Sequence, residues 1–519
     1  MVYSISVRIF ISYLCFLMIC VLFPLSAQDA RTRVLPPEAG IKTTLDRTFE
    51  RLDKSRIAAG ILHDKVLSLG NIEAFTGSGQ ISPANLKQWQ QLYFEMYQAS
   101  LDRPNFPALN TLKSRAKPYI KRSIVPIGII NFQYNKIKEN ALEDGLLTIE
   151  NERLIDSGNS TISPYETRQL FAVSALKTHT YHNTVTFLID RQFFVSNLTE
   201  PLHSLEINFD DGSGFRRVEQ GSQITINYGI SGSKQIHIKA NYAQKPLEAQ
   251  FGFTIRQFNK TAVVNEQPDI IWEGLVADEP YLGESAVYDL YTFLGNGNSQ
   301  ITKPILFVEG FDIGDILGWE EIYALLNQQN LAPTLLAAGY DITIMNFGDA
   351  TDYIQRNGFA LVSAIERIKM ERSGSEPLIV AGASMGGLVG RFGLAWMENN
   401  AMDHETRIFL SFDSPQQSAN LPLGIQHWAV FFAELDANAG ALIEELNSPG
   451  AQQMLVYHHL NAPDVGNNAL RDELFTDLAA LGNYPSNPNL RKIAIANGSG
   501  AGASAGQTGN GDILSLIHI

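Results

Sequence analysis

The period of the apolar positions changes along this chain, and each change predicts a different kind of element. Residues 44–52 read as a short amphipathic helix with Asp46 near its start. Residues 86–101 read as a second helix, with Trp89, Leu92, Tyr93, Met96 and Tyr97 near the 3.6 period. From about Tyr119 the pattern becomes β-like. Residues 124–132, 184–189 and 205–209 are β-like stretches of strand length, and 224–228 and 236–239 alternate at the half-buried strand period. Asp210-Asp211-Gly212-Ser213-Gly214 and Gly229-Ile230-Ser231-Gly232-Ser233 are turn chemistry. Short strands at this spacing predict a β-sandwich within residues 119–260.

From about Gln267 strands alternate with helices. Runs at 303–310, 340–346, 377–381, 407–412 and 491–496 predict strands, and 351–370 and 388–398 predict helices. Apolar runs of this length between helices predict a doubly wound, mostly parallel sheet covered on both faces. The fold class expected is therefore multidomain: a mixed helical region over 28–118, an all-β region over 119–260, and an α/β domain over 267–513. Within the last, residues 418–488 form an insertion carrying Leu421, Leu423, Ile425, Trp428, Val430, Phe431 and Phe432. Such an insertion is expected to sit over the site as an apolar cap.

The two ends differ from the rest. After Arg8 an uncharged apolar run meets Pro24-Leu25-Ser26-Ala27-Gln28, which predicts a secretory signal peptide over 1–27 cleaved after Ala27. The protein is then expected to be exported to the periplasm, cell surface or medium, with no membrane span after cleavage. Both cysteines, Cys15 and Cys20, leave with the signal, so neither a disulfide framework nor a thiol nucleophile is expected. At the other end, residues 514–519 (Leu-Ser-Leu-Ile-His-Ile) resemble translated sequencing-adapter sequence, and the natural protein is expected to diverge near Ile513. The formal charge of −15 argues against nucleic acid or an anionic surface as the main partner.

The predicted strand 377–381 runs into Gly382-Ala383-Ser384-Met385-Gly386-Gly387, a G-x-S-x-G pattern followed by a helix. At such an elbow the serine hydroxyl is exposed above the sheet, and Gly382, Gly386 and Gly387 let strand and helix backbones meet. Ser384 is the expected nucleophile, and the Met385 amide at the helix start the expected oxyanion donor. Gly502-Ala503-Ser504-Ala505-Gly506 fits the same pattern, but no helical pattern follows it. Asp210 and Asp211 lack the spacing of a calcium loop and read as a turn. Neither a metal nor an organic cofactor is expected.

Three stretches carry a family resemblance. Gly382 to Gly387 is the elbow; Val308-Glu309-Gly310-Phe311-Asp312 is similar to the His-Gly-x stretch of lipases, with Glu309 in the histidine's place; Phe412-Asp413-Ser414-Pro415-Gln416-Gln417-Ser418 is similar to their Pro-His-x-Gly stretch, with Gln416 and Ser418 replacing His and Gly. Together they resemble the α/β-hydrolase superfamily, lipase and esterase branch, near the inositol-deacylase-like lipases. Upstream, residues 205–239 resemble PKD-like modules of secreted bacterial proteins. The resemblance implies ester hydrolysis through Ser384, with the Phe311 amide as second oxyanion donor and a lipid or other small ester as substrate.

The family order is serine, then acid, then histidine. Asp413 and Asp512 are the alternative acids. Of the later histidines, His404 precedes a strand, His427, His458 and His459 lie in the insertion, and His518 lies in the doubtful hexapeptide. The catalytic histidine is therefore expected beyond the credible sequence, leaving the chain as given inactive. The rival expectation is a cell-surface binding protein in which the β-sandwich works and the hydrolase scaffold is degenerate.

Overall fold

The computed structural model describes residues 41–79, 81–101, 106–158, 161–242, 246–256, 267–312, 317–327, 329–461 and 468–496. The expectations for the signal peptide, Asp512, the Ser504 decoy and the terminal hexapeptide lie outside these residues. The chain divides into a short unit, Met1–Arg47, and a large one, Thr48–Ile519. Helix α1 (Ile41–Phe49) crosses that division, and the elements after it in the chain belong to the large unit.

Helix α2 (Leu86–Ala99) starts with a reciprocal cap: Asn85 Oδ1 accepts the Gln88 amide at 2.9 Å and Gln88 Oε1 accepts the Asn85 amide at 3.1 Å. Its inner face is the expected Trp89, Leu92, Tyr93 and Met96. Helix α3 (Leu109–Lys121) follows and leads into a long strand, Ile124–Ile137. That strand explains the continuous apolar run read at 124–132, because both of its faces are covered. Val125, Ile127 and Ile129 face one apolar core, and Ile130, Phe132 and Tyr134 face another with Trp89, Leu92 and Leu112 of the helices.

The first of those cores lies between two sheets. One runs in the order Ser222–Asn227, Thr184–Ile189, Ile124–Ile137, Tyr165–Ala175. The other runs Pro83–Ala84, Pro246–Ile255, Gly232–Asn241, Ser204–Asn208, Phe215–Val218. Their facing residues, Phe187, Val173 and Ile226 on one side and Ile207, Ile238 and Phe251 on the other, form one cluster. Asp211 sits in the turn before Phe215–Val218 and pairs with Arg216, so its carboxylate serves the turn.

The third sheet has seven strands: β1 (Ile270–Val276), β2 (Val287–Phe293), β3 (Pro304–Val308), β4 (Asp341–Phe347), β5 (Leu378–Ala383), β6 (Thr406–Phe412) and β7 (Arg491–Ile495), in spatial order β1-β2-β4-β3-β5-β6-β7. Only β2 runs against the others. One face packs on α6 (Ile354–Glu371) and α7 (Met385–Asn399) through Ala360, Ile365, Leu388 and Phe392. The other packs on α4 (Trp319–Leu326) and α5 (Leu331–Ala337) through Trp319, Tyr323 and Leu336. The expected α/β architecture is thus present, with mixed α/β structure and several sheets overall. The chain leaves β3 first toward β4 and then crosses to β5 on its other side. Ligands of open α/β sheets bind at such a reversal, outside the carboxyl ends of the strands.

The insertion is helical, as expected: α8 (Leu423–Phe432), α9 (Ala437–Leu446), α10 (Pro449–Met454) and α11 (Ala469–Ala480). It is tied to the N-terminal helices, since Gln91 of α2 donates to Leu435 O at 3.0 Å and accepts the Ala437 amide at 2.9 Å.

Candidate active site

Strand β5 ends at Ala383, helix α7 begins at Met385, and Ser384 alone makes the turn. Its backbone lies at φ 53°, ψ −127°, a conformation costly for any residue with a Cβ. Neighbours hold it there. The Ser384 amide donates to Phe412 O on β6 at 2.9 Å, and Ser384 O accepts the Gly387 amide at 3.2 Å. The glycines are required by contact. A Cβ on Gly382 would stand 2.3 Å from the Gly386 backbone, and one on Gly386 would stand 2.5 Å from the carbonyl oxygens of Val308 and Glu309. On Gly387 it would stand 2.0 Å from Ser414 Oγ. Ser384 itself is half-buried.

The 309–312 loop leaves β3 beside this elbow. A Cβ on Gly310 would stand 3.3 Å from Ser384 Cβ and 3.1 Å from Ala383 O, so the loop carrying Phe311 abuts Ser384. Glu309, read from sequence as a replaced histidine, turns away from the surface. It is buried, and its Oε2 accepts the Phe347 amide at 2.6 Å. Burial pushes its carboxyl well above the usual range, against the pull of Lys121. Asp312 is also buried and accepts the Leu317 amide at 2.6 Å.

Asp413 follows β6 directly. Phe412 pairs with Ala383, so Asp413 lies at the same edge of the sheet as Ser384. It has φ +48°, and its amide donates to Ile495 O of β7 at 2.6 Å. Gln416 and Ser418 are buried. Gln416 Nε2 donates to Gly387 O and to Ser411 Oγ, each at 3.0 Å. Its carbonyl accepts Arg391 Nη1 of α7 at 2.8 Å. Arg391 is buried and stacks 3.9 Å from the Tyr484 ring centre. Ser418 Oγ accepts Arg471 Nε of α11 at 2.7 Å. The two departures from the lipase pattern are thus structural ties between the elbow, the β6 loop and the insertion.

No imidazole among the described residues hydrogen-bonds Ser384. His404 precedes β6 at the end opposite Ser384 and is engaged by Glu398 at 3.1 Å. His458 is buried with Nε2 on Leu446 O at 2.8 Å and Nδ1 accepting the Leu460 amide at 3.3 Å. His459 rests on Asn447 Oδ1 at 2.9 Å, and its ring lies 6.3 Å from that of His427. Burial first, then His458 and His427, push His459 down to about 4. Among the described residues no group of three or more His, Cys, Asp or Glu could hold a metal ion. Among them no helix is long and apolar enough to cross a membrane.

No family model matches the sequence, and no curated protein matches it. Solved structures do resemble part of it. Est1E from Butyrivibrio proteoclasticus is 11% identical over 44% of this chain and 89% of its own, with a TM-score of 0.22. A hyperthermophilic esterase from the archaeon Pyrobaculum calidifontis is 13% identical over 45% of this chain and 77% of its own, with a TM-score of 0.25. An alpha/beta hydrolase enzyme, LAE6, from the metagenome of Lake Arreo in Spain is 12% identical over 44% of this chain and 76% of its own, with a TM-score of 0.24.

Sequence reasoning passed over Lys121 and Arg391. Arg391 has a faint signal, being a charged residue on an otherwise apolar helix face. Lys121 has none, because its partners lie far along the chain.

Proposed function

We propose that this protein is a serine hydrolase of the α/β-hydrolase fold, cleaving carboxylic esters of the lipase or esterase type. One observation carries the reading: Ser384 occupies a strained turn between a parallel strand and a helix, with the Gly310 loop against it. A hydroxyl held at the carboxyl end of such a sheet suits nucleophilic attack on an ester carbonyl. In this reading Ser384 Oγ bonds the carbonyl carbon as a general base takes its proton. The amides of Met385 and Phe311 bind the oxyanion. Collapse expels the alcohol, which receives the proton, and leaves an acyl-serine that water hydrolyses. Asp413 is the favoured acid, since it shares Ser384's sheet edge, and Asp512 is the alternative. The base is an imidazole outside the described residues.

We further infer export through the segment 1–27, a β-sandwich within 119–260, an α/β-hydrolase domain over 267–513 and a cap over 418–488. The cap supports an acyl or lipid-like substrate, because Ile425, Trp428 and Phe431 of α8 are exposed while Gln426 and Ala429 point inward.

The test is labelling of the protein by a fluorophosphonate probe, followed by peptide mapping. Labelling at Ser384, with hydrolysis of p-nitrophenyl esters lost in Ser384→Ala, is the expected result. A folded full-length protein that takes no label at Ser384 would overturn the reading and favour the binding-protein alternative.

A further inference from the structure

The loop that abuts Ser384 is anchored by a residue from the far N-terminal part of the chain. Lys121 ends helix α3, which the sequence assigns to a separate region. Its Nζ donates to Phe347 O at the end of β4 and to Gly348 O at 3.3 Å. The amide of the same Phe347 donates to Glu309 Oε2 at 2.6 Å. Phe347 is therefore held from both sides, by Lys121 through its carbonyl and by Glu309 through its amide. Glu309 is the first residue of the loop whose next residue, Gly310, touches Ser384. Lys121 is the cation that acts on both Glu309 and Asp312, the buried acids at the two ends of that loop. A buried carboxyl is costly without a compensating partner, so the cation bears on where Glu309 can sit. A second tie runs beside it: Ser123 donates to Glu320 of α4, the helix that follows the loop.

We infer that Lys121 is a positioning residue for the 309–312 loop, so that the N-terminal helices form part of the support of the active site and are not a detachable module. The inference rests on the Ser384 reading for its catalytic consequence, but not for its structural one. Removing the ammonium takes away the donor that holds Phe347 O and Gly348 O, and the loop loses the anchor that sets the Phe311 amide.

Two readouts test it. Amide hydrogen exchange compares the 519-residue chain with its Lys121→Met and Lys121→Arg variants. Exchange at Gly310 and Phe311 should rise about tenfold in Lys121→Met while the buried β5 and α7 amides hold their protection. Lys121→Arg should restore most of it, which also guards against a Met variant that fails to fold. In the same Lys121→Met variant, kcat for a p-nitrophenyl ester should fall about tenfold with KM within about twofold, as for a displaced transition-state donor. Unchanged loop exchange in a folded Lys121→Met variant would overturn the inference, as would a loss spread evenly over β5 and α7. A wild-type protein without hydrolysis would instead overturn the Ser384 reading, and the exchange result would still decide the role of Lys121.

Discussion

Gln416 Nε2 donates to the carbonyl of Gly387 at 3.0 Å, reaching from the loop after β6 into the first turn of α7. The same nitrogen donates to Ser411 Oγ, and Arg391 holds the Gln416 carbonyl. The side chain is buried, so its removal strands polar groups instead of releasing them to water. Gln416→Ala should cost about 1–3 kcal/mol in urea unfolding. It should also slow Ser384 labelling by more than the lost stability explains, because the elbow is what it braces. Labelling at the wild-type rate would show that the elbow holds its shape without this tie.

Gly386 meets the carbonyls of Val308 and Glu309 where α7 crosses the end of β3, and a Cβ there would stand 2.5 Å from both. Neither oxygen belongs to a flexible side chain. Gly386→Ala should therefore destabilise by about 1–3 kcal/mol through overpacking. It should also push the 309–312 loop away from Ser384. Denaturation and labelling measured together check this; a stable, fully reactive variant contradicts the close approach.

Helix α8 has its apolar residues outward. Trp428 is 59% exposed and Phe431 54%, whereas Gln426 is buried and bonded to Leu421 O at 2.8 Å and Tyr457 O at 3.0 Å. Substituting Trp428→Ser and Phe431→Ser should change unfolding free energy by no more than about 0.5 kcal/mol, since neither packs in the core. If the insertion caps the site, kcat/KM for octanoyl esters should fall several-fold more than for acetyl esters, following the ~0.8 kcal/mol carried by each buried methylene. An equal loss on both chain lengths would remove the cap from substrate binding.

The strand–turn–helix around Ser384 is legible because its signature is local: apolar strand, small-residue turn and helix lie within 22 residues of sequence, 378–399. Five of the seven strands, β3 to β7, are legible for the same reason, each being a short apolar run, whereas β1 and β2 are not among the predicted strands. What escaped the sequence depends on contacts between distant segments. Lys121 carries no local signal, and Gln416 reads as a failed match to a histidine; only the fold brings them to Phe347 and Gly387. The strand Pro246–Ile255 was passed over although Leu247, Ala249, Phe251, Phe253 and Ile255 alternate. Pro246 at its start and Gly252 within it weaken the β signal. The run 124–132 was read correctly as strand, but its second buried face reflects the helices packed on it, which no local period encodes.

Glu320 lies in the first turn of α4, with His182 Nε2 at 2.9 Å, Lys177 Nζ at 3.8 Å and the Ser123 hydroxyl donating to it. Burial alone would raise its carboxyl. The bonds and charges from His182, Lys177 and Ser123 outweigh burial and hold it at about 2. A carboxyl depressed in the folded state stabilises fully above its unfolded pKa of ~4.5, and that stability is lost as the pH falls through the folded value. Glu320→Gln keeps an acceptor for Ser123 but removes the charge. It should lower unfolding free energy by roughly 3 kcal/mol at pH 7, the depression converted at 1.36 kcal/mol per unit. The deficit should shrink steadily between about pH 4.5 and pH 2. Urea titrations of both proteins at pH 7, 4 and 3 read this directly; a deficit of the same size at pH 7 and pH 3 would mean that Glu320 contributes by packing, not by charge.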